Sequence, residues 1–388
     1  MTPWLLAICA GLGFTAYLFL VGTAIIGLIR LAHGTNTSSL PTDVELPTCS
    51  IIISARNEEA NIGATLTALL AQDYPANRYD ITVVDDRSED NTAGVVQQLQ
   101  GAKSRIALLR QAETNPLYSP KKQALERGIA ESWGEIIVTT DADCQPQTNW
   151  LHTLVSGLSS ADMAVGQARF ALDDHSPLWQ KLQALDFQAQ TVLSAGLITA
   201  DMPFNCSGAS LAYKRSAYNK VNGWHGVREL ISGDDELLMG KFVHAGLTVK
   251  AVIGSSAVVR TQPVGTLREL WHQRVRWGSK GLHYHPSRVV VLAGLFLFYL
   301  TLVLYPVLLI DPFLRLLVPV FFLAKMILDL LVLRYGVRLF DDSLNISHFL
   351  VMSFIHPLWI VSLAVAGQFG RFEWKGETYK SKGRVVAN

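Results

Sequence analysis

Charge is scarce in this 388-residue chain: charged residues make up 17% against 49% hydrophobic residues, and the formal net charge is only +1. No basic cluster alternates with aromatic residues, so the electrostatic footprint of a nucleic-acid surface is missing and nucleic acid is not an expected partner. Cysteine is scarce too. The four present, Cys9, Cys49, Cys144 and Cys206, show no paired spacing. They describe neither a disulfide framework nor a zinc site, and they suit a domain on the reducing side of a membrane. A cleavable signal peptide is not expected either. No basic residue precedes the first apolar run, and that run is longer than a signal-peptide core, so it reads as a retained anchor.

What the chain has in quantity is apolar length. Its mean hydropathy is +0.25. Residues 4–29 carry no charge and are long enough to cross a hydrocarbon core of about 30 Å. Further apolar stretches occupy 289–310, 313–333 and 348–368, and the long segment between the first and second has ordinary soluble composition. The third stretch holds Arg315, Lys325 and Asp329, as a transport protein would require, but no inverted repeat accompanies them. Three crossings after the soluble segment would carry the basic tail, with Lys375, Lys380, Lys382 and Arg384, to the side opposite that segment. The positive-inside tendency opposes this, so one C-terminal segment is expected to be re-entrant or interfacial.

In the soluble segment, residues 34–47 (GTNTSSLPTDVELP) have linker composition. Short β-branched runs follow at 50–54, 80–85, 105–109 and 135–140, with helix-period segments near 59–71, 89–100 and 120–132. That alternation predicts an α/β fold with a mainly parallel sheet and helices on both faces. Runs such as SIIIS and EIIVT, apolar on both faces, fit strands buried on both sides. The first run leads into Arg56-Asn57-Glu58, the second into Asp85-Asp86 and the fourth into Asp141-Ala142-Asp143. Ligands of doubly wound sheets bind outside the carboxyl ends of the strands, and three polar endings on one edge mark a site.

An isolated D-x-D equally suits a solvated turn. At a strand end beside two other polar endings, Asp141 and Asp143 can face one hard cation, Mg²⁺ or Mn²⁺, together with the phosphate oxygens of a nucleotide substrate. Lys122, beside Lys121 at a helix start, can add positive charge at the same edge. In ISGDDELLMG (231–240), Asp234, Asp235 and Glu236 stand at an apparent helix N-terminus. One acid would satisfy capping; a further carboxylate can act as general base on an acceptor hydroxyl. In WHQRVRWGSK (271–280), Gln273, Arg274, Arg276 and Trp277 lie on an amphipathic segment just before the second apolar stretch. An interfacial anchor would look the same. Residues 170–200 are amphipathic and are expected at a lipid surface.

Together these residues resemble the membrane-bound family 2 glycosyltransferases with a GT-A fold, over roughly residues 48–285 and the flanking membrane segments. Asp141-Ala142-Asp143 matches the family's D-x-D metal motif. Gln273-Arg274-Val275-Arg276-Trp277 matches Q-x-x-R-W. SARNEE resembles the P-x-x-N-E stretch, PKKQALERG the G-K-x-x-A-L-x-x-G stretch, and PFNCSGASLAYKR (203–215) the acceptor-side loop. The resemblance implies donor binding by Arg56, Asn57, Glu58, Asp85, Asp86, Lys122, Asp141, Gln273, Arg274, Arg276 and Trp277, and metal binding by Asp141 and Asp143. It implies a catalytic aspartate at Asp235, with Asp234 standing where relatives carry glutamate. The implied activity is that of an inverting hexosyltransferase moving a sugar from a nucleotide-diphosphate sugar to a membrane lipid hydroxyl. A processive polysaccharide synthase is the alternative, and a non-catalytic relative is disfavoured because Asp143, Asp235 and Arg276 are all present.

The expected organisation is an anchor (1–30), a linker (31–47), a GT-A domain (48–265), an interface helix (266–287), C-terminal membrane segments (288–370) and a basic tail (371–388). The expected location is the inner membrane with the catalytic domain cytoplasmic.

Overall fold

The computed structural model of the chain describes residues 3–34, 46–102 and 105–380. Most of the expected linker (35–45) and the end of the expected tail (381–388) lie outside the described residues. The β-branched runs form the strands Cys49–Ala55, Tyr79–Asp86, Ile106–Gln111 and Ile136–Thr139. All four are parallel, with Cys49–Ala55 between Tyr79–Asp86 and Ile136–Thr139, and Ile106–Gln111 outermost. Helices Ile62–Leu70, Thr92–Ala102 and Pro120–Glu131 make the crossovers.

Side chains alternate between the faces of a strand, so three successive isoleucines need cover on both sides. Ile51 and Ile53 belong to the core that holds Ile62, Leu66 and Leu69. Ile52 belongs to the opposite core with Leu125 and Ile129. Beyond Ile136–Thr139 the sheet reverses: Leu211–Lys214 pairs antiparallel, then Met163–Val165, then Val249–Ala251, completing seven strands. The sheet is mixed and mainly parallel. Since parallel strands end on a common edge, the polar segments 56–58, 85–86 and 141–143 collect there. A small second sheet, in which Val258–Thr261 pairs with Gln145–Pro146 and Gln167–Phe170, flanks that edge.

Among the described residues, four helices are long and apolar enough to cross a membrane: Trp4–His33, Pro286–Val303, Leu314–Phe340 and Ile346–Phe369. The first three run alternately up and down. Phe14 packs on both Phe298 and Phe321. The start of Leu314–Phe340 meets Leu6 and Ala7, while at its end Arg169 Nη2 donates to the Phe340 carbonyl, 2.8 Å away. The amphipathic segment expected at a lipid surface is helix Leu178–Thr199, and protein covers much of it. A Cβ on Gly27 would lie 1.8 Å from the Gly196 carbonyl oxygen, so only glycine lets these two helix backbones touch.

The fourth apolar helix differs from the other three. Just before it, Asp342 Oδ2 accepts from Gln188 Nε2 at 2.5 Å; near its end, Gln368 Nε2 donates to the Gly278 carbonyl at 3.0 Å. Between them Trp359 meets Trp271, with ring centroids 6.0 Å apart. Both ends therefore contact the sheet-bearing domain or the helix Leu267–Gly278. The first part of the expected basic tail is folded. Residues 371–380 form a hairpin, Arg371–Trp374 paired with Glu377–Lys380. Its turn residues Lys375 and Gly376 have φ of 51° and 80°, the left-handed pair whose twist matches a two-residue hairpin.

Candidate active site

The polar strand ends surround a cleft of about 1120 Å³. At the end of the first strand, the Asn57 and Glu58 amides donate to Ser88 Oγ (3.0 Å) and Thr92 Oγ1 (2.7 Å), tying this loop to the next. Arg56, Asn57 and Glu58 all line the cleft. The two aspartates of the second strand diverge. Asp86 lines the cleft and accepts from Arg87 Nε (3.0 Å) and Gln111 Nε2 (3.3 Å). Asp85 instead accepts from the Ser88 amide at 3.3 Å, bracing the loop, and it is absent from the lining.

At the fourth strand, ligand atoms of Asp141, Asp143 and Cys144 lie within 4.8 Å of one another. Burial, with Asp141 and Glu58 nearby, pushes the Asp143 carboxyl up to about 6, although Thr261 Oγ1 donates to it at 3.0 Å. A carboxyl that burial and like charges resist ionising is suited to a cation. Asp141 is bridged differently. Lys121 Nζ lies 2.7 Å from Asp141 Oδ1 and 2.9 Å from Asp234 Oδ2. Burial raises the Asp234 carboxyl, but Lys121 outweighs it and holds the group at about 2.

Lys121, not Lys122, is thus the lysine at the edge. Consecutive helix residues point about 100° apart, and Lys122 points inward. It is fully buried and donates to the carbonyls of Val227 (2.9 Å), Leu230 (2.6 Å) and Ser232 (3.1 Å). Burial pulls its pKa down to about 8. Its place is beneath the loop that delivers Asp234 and Asp235.

Asp235 is the N-cap of helix Glu236–His244, and it lines the cleft. Its Oδ1 accepts from the Glu236 amide (2.7 Å) and its Oδ2 from the Gly208 amide (2.9 Å). With Asp234 bound to Lys121, Asp235 is the acid of this pair whose carboxylate, among the described residues, is held by amides and not by a cation. Glu236 is engaged by Lys280 at 3.0 Å and by the Tyr284 hydroxyl.

The Q-x-x-R-W segment is helix Leu267–Gly278, started by a capping box between Thr266 and Glu269. Gln273, Arg276 and Trp277 line the cleft. Arg274 does not, which corrects its expected donor contact. One residue round the helix, it faces away from the cleft and pairs with Asp186 at 2.8 Å. Arg276 lies over the Trp374 ring, 5.1 Å from its centroid.

That tryptophan belongs to the C-terminal hairpin, which sequence reasoning missed. Glu377 Oε1 lies 2.8 Å from Arg56 Nη1 and 3.8 Å from Arg87 Nη2; Lys375 Nζ lies 2.7 Å from Glu58 Oε1. Trp374, Lys375, Gly376 and Thr378 complete the cleft wall. The signal was present: a Lys-Gly turn flanked by RFEW and ETYK is a hairpin pattern. Its distance in sequence from the strand ends hid its destination.

Comparison with known proteins gives the family. The chain matches the profile described as "Glycosyl transferase family 2" over residues 50–221 and that described as "Glycosyl transferase family group 2" over residues 136–360. It belongs to the family 2 glycosyltransferases. Among curated relatives, it is 28% identical over 275 residues to a beta-monoglucosyldiacylglycerol synthase of Synechocystis sp., covering 68% of this chain and 55% of that protein. It is 29% identical over 245 residues to the probable glycosyltransferase YdaM of Bacillus subtilis, covering 62% and 56%. The chain therefore spans about half the length of these relatives. A solved mannosyltransferase from Pyrobaculum calidifontis, in complex with GDP-Man and Mn²⁺, shares the fold with a TM-score of 0.51 at 18% identity, covering 92% of this chain and 98% of that one.

Proposed function

We propose that the protein is an inverting hexosyltransferase that moves a sugar from a nucleotide-diphosphate sugar to a hydroxyl of a membrane lipid. The observation that carries this reading is one cleft lined by Asp141, Asp143, Lys121, Arg276 and Asp235 that shares wall residues with an apolar cavity among the apolar helices. Asp141 and Asp143 would hold Mg²⁺ or Mn²⁺, which when bound neutralises diphosphate charge. Arg56, Asn57, Glu58, Asp86, Gln273 and Trp277 form the remaining donor walls, with Asp85 bracing them. Arg276 faces charge developing on the leaving diphosphate. Asp235 takes the proton from the acceptor hydroxyl. The hydroxyl oxygen forms its bond to the anomeric carbon from the face opposite the diphosphate, whose carbon–oxygen bond breaks with the electron pair leaving on the nucleoside diphosphate. The relatives named for diacylglycerol support the lipid acceptor.

Nucleotide sugars are cytoplasmic, so the catalytic domain belongs on that side of the inner membrane. Three crossings plus a fourth helix with both ends at the domain would keep the hairpin on the same side. The test is incubation of the purified protein with a panel of nucleotide sugars and host lipids, with the anomeric configuration of the product read by NMR. An inverted lipid glycoside is expected. A product of retained configuration overturns the mechanism, and growth of a soluble polymer replaces it with the processive alternative.

A further inference from the structure

Beside the cleft lies a second cavity, of about 680 Å³, walled mainly by aliphatic and aromatic side chains of the apolar helices and of Leu178–Thr199. It shares Gln190, Asn205, Glu236, Trp277 and Lys280 with the cleft, and this common stretch of wall forms the neck between the two spaces. Three cations line it, and each is matched by an acid. Arg274 lies 2.8 Å from Asp186, Lys280 lies 3.0 Å from Glu236, and Lys325 lies 2.7 Å from Asp329. Among the described residues, its walls hold no lysine or arginine without a carboxylate partner.

Asp186 organises the neck. Its Oδ2 accepts from Gln190 Nε2 at 2.9 Å as well as facing Arg274, and its Oδ1 lies 3.7 Å from His356 Nε2. The pair is almost wholly enclosed, with side-chain exposures of 5% for Asp186 and 3% for Arg274. The Arg274 guanidinium also lies over Trp277, 4.6 Å from the ring centroid, which presses it against the wall. A buried ion pair stabilises a fold poorly compared with apolar side chains of the same volume. Its position against Gln190 and Trp277, which the cavity shares with the cleft, accounts for it better.

We infer that the cavity takes an uncharged lipid alcohol, and that Asp186 sets this selectivity by neutralising Arg274 at the neck. The inference rests on the lipid-acceptor reading above. Inside the cavity a lipid phosphate would bring its negative charge past Asp186 and Glu236 without meeting a lysine or arginine that lacks a carboxylate partner, and like charges brought together in an enclosed site are strongly disfavoured. A hydroxyl needs only hydrogen-bonding partners, and Gln190 and Asn205 stand at the neck. Asp186 is therefore a specificity-determining residue, distinct from the groups that handle the donor.

The test uses the full chain in nanodiscs with its nucleotide sugar, offered diacylglycerol, ceramide, polyprenyl phosphate and a soluble glycan in parallel. The wild-type protein should modify an uncharged lipid in preference to the phosphate. Asp186→Asn leaves Arg274 uncompensated, and should move the ratio of the two toward polyprenyl phosphate by about tenfold or more, as expected for one unmatched buried guanidinium. The double change Asp186→Asn with Arg274→Gln removes both charges and should return the ratio; nucleotide binding reports that each variant is folded. A wild-type preference for polyprenyl phosphate, or a ratio unmoved by Asp186→Asn in folded protein, overturns the inference and leaves the lipid reading standing. Transfer to the soluble glycan with no lipid modified overturns both.

Discussion

The cleft and the cavity share a wall, yet their charges are arranged in opposite ways. In the cavity each lysine or arginine has its own acid within 3.0 Å, so its formal charges are paired before anything enters, although Arg274 Nε and Nη2 lack a well-directed hydrogen bond. In the cleft the charges are unfinished. Asp143 is pushed up to about 6 by burial and by the neighbouring carboxylates of Asp141 and Glu58, and Arg276 rests on an aromatic ring. An unfinished site is suited to a ligand that carries compensating charge, here a diphosphate with its cation. A finished one is suited to a ligand that carries none. On the proposed function, one protein would keep a water-soluble anion and a lipid on either side of a shared wall.

Substitutions in the cleft should expose the contrast in order of size. Asp143→Ala removes half of the acid pair and should abolish nearly all transfer while membrane insertion persists, with excess chelator doing the same to the unaltered protein. Full activity in chelator would mean that the pair serves another purpose. Asp235→Asn keeps the shape of the N-cap but cannot take a proton. Turnover should fall by roughly 10²–10⁴-fold, with donor affinity almost unchanged in a binding titration. Near-normal turnover would shift the base to another carboxylate.

Arg276→Ala should slow transfer by about 10²-fold, the scale of one lost charge-stabilising donor, and should weaken nucleoside diphosphate binding. Normal turnover with altered membrane association would instead make the helix a simple anchor. The smallest effect belongs to the hairpin. Glu377 is 37% exposed, so its pairing with Arg56 is partly screened and worth no more than about 1 kcal/mol. Glu377→Ala should change donor affinity only a few-fold, measured calorimetrically, and should leave acceptor preference untouched. A large change in acceptor choice would break the separation between the two chambers.

Much of this was legible in the chain itself. Runs such as Ile51-Ile52-Ile53 dictate a strand covered on both faces, and parallel strands bring their polar endings to one edge. Asp141, Asp143, Asp235, Gln273, Arg276 and Trp277 are all found at the cleft. The four apolar helices were readable from length alone. Where residue-level reading failed, a rotation or a distant partner decided. Lys121 and Lys122 are chemically equivalent in sequence, and only the seating of helix Pro120–Glu131 turns one to the acids and the other to three carbonyls. Arg274 sits inside a motif associated with the donor, but helix geometry aims it at the cavity.

Local chemistry sets strand, helix and apolar length because each depends on neighbours a few residues apart. The chain alone therefore determined an α/β sheet with an acidic edge, four apolar helices and a motif set for nucleotide-sugar chemistry. Tertiary structure decided which charges meet. It paired Asp186 with Arg274, brought Glu377 from near the C-terminus to Arg56 near the first strand, and returned both ends of Ile346–Phe369 to the domain. Such pairings depend on side-chain direction and on packing between segments remote in sequence, and no local pattern encodes either.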